Sequence, residues 1–399
     1  MLRKVATNAT PQAVWDRLSG NEPMFILDVR NRDEFERWRV EGPHPVPVLN
    51  VPYYELLDLE GETDDVTEAV IRGVQSQLVE KLPTDRPILA VCAEGSTSSY
   101  VAEGLRHLDF EATNLEGGME AWGNFYYWRP VEANERFSLF QVVRPARGCL
   151  SHVLVSDHSA AVFDPARHLD TYDALAAAED ARIVKVFDTH LQADHLSGGP
   201  EMGRRVNVSY YLHPYDAIYP LDMLPARVAY RPLEAGQKLQ LGQAEIKVLH
   251  FPGHTLGLVA FFIDGRYLIN GDSLFLESIA RPDLGGKADK WAHLLYESLK
   301  RMTELPGETV VLPAHFSDIA ACDETGVYRA SLDELKRHHQ GLHKLAEGEK
   351  AFCRSILANP PEFPPAYAEI KRANTGLYSP DGRKAMELEL GKNICAVGK

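Results

Sequence analysis

The sequence predicts α/β followed by α+β architecture, an N-terminal αβα domain and then an αββα sandwich. Three observations predict it. The chain has 399 residues, more than one hydrophobic core normally organises. Up to about Pro130, apolar strand-like runs alternate with helical segments, the pattern of a mainly parallel sheet covered on both faces. From Phe137 onward, strand-like runs follow one another as antiparallel pairs do, and several end in His or Asp. The division is placed between residues 132 and 133, giving domains 1–132 and 133–399.

In the first part, Met24–Arg30 reads as a buried strand and Arg32–Trp38 as a short helix. Pro87–Val91 is a second buried strand, followed by a loop at Cys92 and a helix over Ser96–His107. Asn114–Trp122 reads as a glycine turn leading into a helix. In the second part, strands are expected at Leu139–Arg144, His152–Val155, Ala161–Asp164, Val184–Phe187, Ile246–His250, Leu258–Ile263, Tyr267–Asn270 and Val310–Leu312. Helices are expected at Trp291–Thr303 and Leu332–Glu347. His338, His339 and His343 fall on the latter as surface residues without a role. The tail is proline-rich at Pro360, Pro361, Pro364 and Pro365, and then helical over Ala366–Arg372.

Composition narrows the function. With 45% hydrophobic and 25% charged residues the chain is an ordinary globular sequence. It holds no apolar run of about 18 residues, which excludes a membrane-spanning helix. No apolar segment follows the short basic start Met1–Lys4, so a cytoplasmic location is expected. A net charge of −15 argues against nucleic acid and anionic membranes as partners. An anionic substrate would then need local positive charge from a metal or a helix N-terminus. The five cysteines are sparse and form no CxxC pair, so a reducing compartment is expected and a disulfide framework is not.

Two constellations carry chemistry. Cys92 ends a buried strand and is followed by Ala93, Glu94, Gly95, Ser96, Thr97 and Ser98, then a helix. Such a loop aims backbone N–H groups at one point, and the helix dipole adds positive potential there. That favours a thiolate and an anionic sulfur group. Spacing alone leaves Cys92 open between a nucleophile and a buried small residue at a strand end.

The second constellation is four-part: Thr189-His190-Leu191-Gln192-Ala193-Asp194-His195, then Pro252-Gly253-His254-Thr255, then Gly271-Asp272, then Ala314-His315. Each His or Asp comes at or after an apolar strand, where loops converge. Imidazole and carboxylate are the usual ligands of zinc, iron and manganese. Any one of these residues alone would read as a surface histidine or a turn aspartate; the ordered set reads as a metal site.

The first constellation lies in a segment that resembles the rhodanese family. The pieces that match are Leu27-Asp28-Val29-Arg30, Glu34-Phe35, the Cys92 loop and Glu116-Gly117-Gly118-Met119-Glu120-Ala121-Trp122. The resemblance implies that Cys92 carries a persulfide and that Asp28 and Arg30 stabilise the fold. Acidic Glu94, with no Lys or Arg between Cys92 and Ser98, departs from many members and argues against thiosulfate-to-cyanide transfer.

From about Phe137 to His315 the order of motifs resembles the metallo-β-lactamase superfamily, whose motif His-x-His-x-Asp-His is met except that Gln192 replaces the second His. That departure disfavours a two-metal thioester hydrolase. The persulfide dioxygenases of this superfamily hold one Fe(II) on two His and one Asp. The resemblance places these at His190, His254 and Asp272, with one iron per chain and zinc as the alternative. It puts Gln192, Asp194, His195 and His315 around the ligands, orienting them and water. Arg281-Pro282-Asp283 also resembles the family, in a structural role. The implied reaction is oxidation of a small thiol persulfide, glutathione the expected carrier, by O₂ to sulfite. A homodimer or larger assembly is expected. Two rivals remain: a zinc-dependent thioester hydrolase of the glyoxalase II kind, and a sulfur carrier or sensor with a non-catalytic metal domain. Cys149, Cys322, Cys353 and Cys395 read as structural.

Overall fold

The computed structural model describes residues 7–57, 66–282, 287–358 and 364–395. The expected features at Met1–Lys4, Asp283, Pro360 and Pro361 lie outside the described residues. The chain forms two compact units, one over residues 1–125 with 144–147, the other over 126–143 and 148–399.

The first unit is built on a five-stranded sheet. Its strands run Asn8–Ala9, Ala112–Leu115, Ile88–Val91, Phe25–Asp28 and Val48–Asn50 in spatial order. Every neighbouring pair is parallel, so each return crosses over through a helix or loop segment. Helix starts are encoded locally. Thr10 accepts from Ala13 N ahead of Pro11, and Asn31 forms a capping box with Glu34. Leu27, Ile88 and Ala90 pack against Val70, Val74, Val101 and Leu105 of helices Val66–Gln77 and Thr97–His107. Trp15 of helix Pro11–Ser19 meets Trp122 of helix Gly118–Gly123 at 6.4 Å. Arg30 forms a buried ion pair with Asp28 at 2.7 Å and donates to Trp38 O.

The second unit is an αββα sandwich. A seven-stranded sheet holds the strands Ser138–Arg144, Cys149–Ser156, Ser159–Phe163, Arg182–Phe187 and Tyr210–Leu212 among others. A six-stranded sheet holds Ala244–His250, Val259–Ile263, Tyr267–Ile269 and Val310–Leu312 among others. The period-two alternation of strands decides the layers. Leu154, Ala161, Phe163, Val248, Phe261 and Ile269 meet in the central core. Their alternates Val153, Ala160 and Val162 turn outward to helix Asp170–Ala178. Ala260 and Leu268 turn to helix Ala288–Thr303 on the opposite side. Among the described residues no helix is long and apolar enough to cross a membrane.

One expectation is corrected. Leu332–Glu347 is not a single helix but Leu332–His338, Gln340–His343 and a 3₁₀ turn, Lys344–Glu347. The break falls at His339, whose backbone is extended (ψ 109°). Its imidazole accepts from Leu342 N and its other ring nitrogen lies 3.2 Å from Ser278 O. His339 is therefore a buried cap, not a surface residue.

Candidate metal centre

The ligand-bearing residues all follow strands at one edge of the sandwich. His190 follows Arg182–Phe187, His254 follows Ala244–His250, Asp272 follows Tyr267–Ile269 and His315 follows Val310–Leu312. Gly271 permits the approach of two of these loops. It has φ +54°, and a Cβ there would stand 2.6 Å from Thr189 Oγ1.

His190, His254 and Asp272 form a fully buried group whose ligand atoms lie within 4.8 Å of one another. His254 Nε2 is 3.5 Å and His190 Nε2 3.8 Å from Asp272 Oδ2. The hydrogen bonds behind them set the tautomers. His254 Nδ1 faces the Arg281 carbonyl at 2.9 Å and can only donate to it. His190 Nδ1 faces Thr189 Oγ1 at 2.9 Å, while that hydroxyl donates to Asp164. Both Nε2 atoms therefore carry lone pairs. Three acceptors thus face one point, and His190 Nε2, His254 Nε2 and Asp272 Oδ2 have no hydrogen-bond partner there. Buried acceptors without a donor are costly, and a cation resolves the cost. The residues fit a metal ion.

The charges are arranged consistently. Burial holds His190 well below its ordinary pKa against the pull of Asp272. Burial likewise lowers His254, with Asp272 opposing and Lys371 assisting. Both imidazoles are thus neutral, the form that binds metal. Burial would raise Asp272, but His315 above all, with His190 and His254, holds it well below the carboxylate range. Burial opposes charge on His315, yet Asp194 and Asp272 raise it well above its usual value. His315 Nδ1 meets Asp272 Oδ1 at 2.6 Å and its Nε2 meets Asp194 Oδ2 at 2.9 Å. Asp272 is thereby held through one oxygen and presents the other to the site.

Gln192 turns to the scaffold: its Nε2 donates to Asp164 Oδ1 at 2.9 Å. Asp194 and His195 pair at 3.1 Å, and with His315 and Cys149 they form a second buried group of possible ligands. Cys149 opens the strand Cys149–Ser156. Its Sγ lies 3.4 Å from Asp194 Oδ2, and its strand bridges to the backbone at His315. Arg281 serves through its main chain, with its carbonyl on His254 and its N–H on Cys395 O.

Several residues that hold this site carry no local signal in the sequence. Asp216 accepts from Leu191 N at 2.8 Å, Thr255 Oγ1 at 2.6 Å and Gly257 N at 2.8 Å, joining the His190 and His254 loops. Asp164 accepts from Thr189 and Gln192. Asn374, in the helix Pro365–Asn374, donates to Gln192 O and His195 O and accepts from Ser197 N. Glu389 accepts from Leu196 N. The tail thus clamps the ligand loop, and Tyr367, Ile370 and Leu388 pack on Ala193 and Leu196.

In the first unit, Cys92 is buried and Gly95 N donates to its Sγ at 3.1 Å. Ser98 Oγ is 3.1 Å from the sulfur and donates to Asn114 Oδ1 at 2.6 Å. Ala93, Glu94 and Ser96 are exposed, Thr97 half-buried and Ser98 buried, with the helix Thr97–His107 starting from this loop. Gly117-Gly118 closes beneath it, since Met119 N donates to Cys92 O and Glu120 N to Ala93 O. Gly118 has φ +57° and a Cβ there would stand 2.5 Å from Cys92 O, which excludes any larger residue.

The second unit is thus a metal-binding αββα domain, and comparison with known proteins gives its family. Residues 144–315 match the model of the metallo-beta-lactamase superfamily and residues 10–125 that of the rhodanese-like domain. A hydroxyacylglutathione hydrolase of Xanthomonas euvesicatoria pv. vesicatoria is 33% identical over 227 residues, 55% of this chain and 83% of that protein. Among solved structures, a metallo-beta-lactamase from Staphylococcus aureus subsp. aureus COL has a TM-score of 0.54 at 23% identity, covering 62% of this chain and 75% of that one. ETHE1 from Myxococcus xanthus has a TM-score of 0.49 at 24% identity, covering 60% of this chain and 98% of that one. The chain belongs to the metallo-β-lactamase superfamily, with a rhodanese-like domain N-terminal to its metal-binding domain.

Proposed function

We propose that the protein oxidises a low-molecular-weight thiol persulfide with O₂, at one iron held by His190, His254 and Asp272. The observation that carries this is the three-acceptor set, with Gln192 withdrawn to Asp164. Two imidazoles and one carboxylate on one face suit a non-haem iron with open positions. When bound, the iron supplies the redox chemistry that O₂ requires. One persulfide, one O₂ and one water give one thiol, one sulfite and two protons. The S–S bond breaks, the outer sulfur loses four electrons to O₂, and the carrier leaves as its thiol. Thr189 and the Arg281 carbonyl keep both imidazoles in the ligating tautomer. His315 keeps Asp272 ionised, Asp194 and His195 pair beside it, and the C-terminal helices exclude water from the ligand loop. Cys92, in the loop 92–98, moves sulfane sulfur to or from the small thiol.

The test is oxygen uptake by iron-loaded protein given glutathione persulfide, with bound metal and sulfite measured on the same sample. Uptake with sulfite and about one iron per chain, absent in His254→Ala, is the expected result. A second reading, zinc-dependent thioester hydrolysis, is favoured by the Cys149, Asp194, His195 and His315 group, which offers ligands for a second ion. The name of the Xanthomonas relative favours it too. Zinc near two per chain and hydrolysis of acyl-glutathione, without oxygen uptake, would establish that reading instead.

A further inference from the structure

A cavity of about 470 Å³ opens beside the ligand loops. It reaches Leu191, which follows His190, and Thr255, which follows His254. Its other walls are mostly apolar, among them Ile218, Leu256, Trp291 and Leu294. Tyr215, Met223 and Leu294 line it and are also unusually exposed for apolar side chains, at 60%, 58% and 36%. A wet apolar rim of this kind marks a binding site rather than a packed surface. Two cations line the same cavity. Lys371 is 1% exposed and acts electrostatically on His254, whereas Lys287 is exposed.

From this arrangement we infer that the carrier is a thiol with an apolar arm ending in a single anionic group, rather than a polar tripeptide. The sulfur end lies toward the ligand loops at Leu191 and Thr255, the apolar walls cover the arm, and exposed Lys287 takes the distal anion. A glutathione chain brings two amides and several charges into the same space. Apart from Tyr215 and Lys287, both exposed at the rim, the polar side chains beside the ligand loops are already engaged. Asp216 accepts three hydrogen bonds, Thr255 donates to Asp216, and His250 Nε2 faces Leu256 O at 2.8 Å. Amides buried against Trp291, which is 4% exposed, would go unpaired, and unpaired buried polar groups weaken binding.

The inference rests on the dioxygenase reading for turnover, and binding is therefore tested separately. Three persulfides are compared on the iron-loaded full chain: those of 6-mercaptohexanoate, hexanethiol and glutathione. The expected order has 6-mercaptohexanoate persulfide at least about tenfold above glutathione persulfide in kcat/KM, one unmet buried polar group being enough for that factor. Lys287→Gln should erase most of its advantage over hexanethiol persulfide. In parallel, 6-sulfohexanoate, which cannot react, is titrated while intrinsic fluorescence is followed, with Trp291→Phe identifying the reporting residue. Saturable quenching that Trp291→Phe abolishes and Lys287→Gln weakens supports the inference even where no persulfide is oxidised, an outcome that would overturn only the dioxygenase reading. Oxygen uptake on glutathione persulfide at equal or better efficiency, with no quenching by 6-sulfohexanoate, would overturn the inference and leave the dioxygenase reading standing.

Discussion

Replacing Asp216 by Ala should weaken metal binding at the site without touching a ligand. The Asp216 carboxylate is buried and accepts from Leu191 N, Thr255 Oγ1 and Gly257 N at 2.6–2.8 Å. Leu191 adjoins His190 and Thr255 adjoins His254, so one side chain sets the spacing of two ligand loops. Hydrogen bonds to a charged group are worth about 1.5–3 kcal/mol each, and two stranded buried N–H groups add their desolvation cost. The three bonds share one acceptor and do not add independently, so a net loss of about 3–5 kcal/mol is expected. Part of that loss appears as weaker metal binding, since removing a group that orients ligands typically lowers affinity about 10–100-fold. The assay is competition with a chromophoric chelator, alongside urea denaturation of the same samples. Asp216→Asn keeps an acceptor oxygen but turns an amide N–H toward a donor, and should fall between Ala and the parent. An Asp216→Ala protein with metal affinity within about twofold of the parent and an unmoved urea midpoint would refute the reasoning.

Other expectations follow from the same geometry. His254→Ala removes one of three converging acceptors and should leave metal content near zero after dialysis, with the fold retained by circular dichroism. Burial lowers His152 from 6.5 to about 3, so the folded chain resists a proton that the unfolded chain takes up. Its contribution is present above about pH 6.5 and is lost as pH falls toward 3, amounting to about 4–5 kcal/mol in all. Urea titrations of metal-stripped His152→Asn should therefore show a flatter loss of stability between pH 6.5 and 4; parallel curves would contradict this. Gly118→Ala places a Cβ 2.5 Å from Cys92 O and should slow alkylation or sulfur loading of Cys92 several-fold, measured by mass spectrometry. A persulfide on Cys92 can pass its outer sulfur to sulfite, giving thiosulfate and the free thiol, so Cys92→Ser should raise the ratio of sulfite to thiosulfate formed during persulfide oxidation, and an unchanged ratio would show that the two domains do not share sulfur.

Much of the fold was legible because its determinants are local. The alternation in Val259–Ile263 assigns Phe261 to the central core and Ala260 to the helical side by the pleat alone. Caps such as Thr10 and the Ser331–Glu334 box are read within four residues. The helix expected over Leu332–Glu347 failed where a tertiary partner intervened. Ser278 O, 61 positions away in sequence, meets the His339 ring beside the extended backbone that ends the helix.

The same division runs through the site. The sequence by itself determined which groups could bind a metal, because His190, His254, Asp272 and His315 each closely follow an apolar strand and the strand ends share one edge. It also determined that Cys92 sits between a strand and a helix. Only the tertiary structure decided what each group does. It placed Asp216 under two loops, Asn374 of the tail against the ligand loop, Cys149 beside Asp194, and Gln192 on Asp164 rather than among the ligands. The physical reason is that a buried polar group must be satisfied by whatever lies across from it, and those partners are 25 to 182 residues away in the chain.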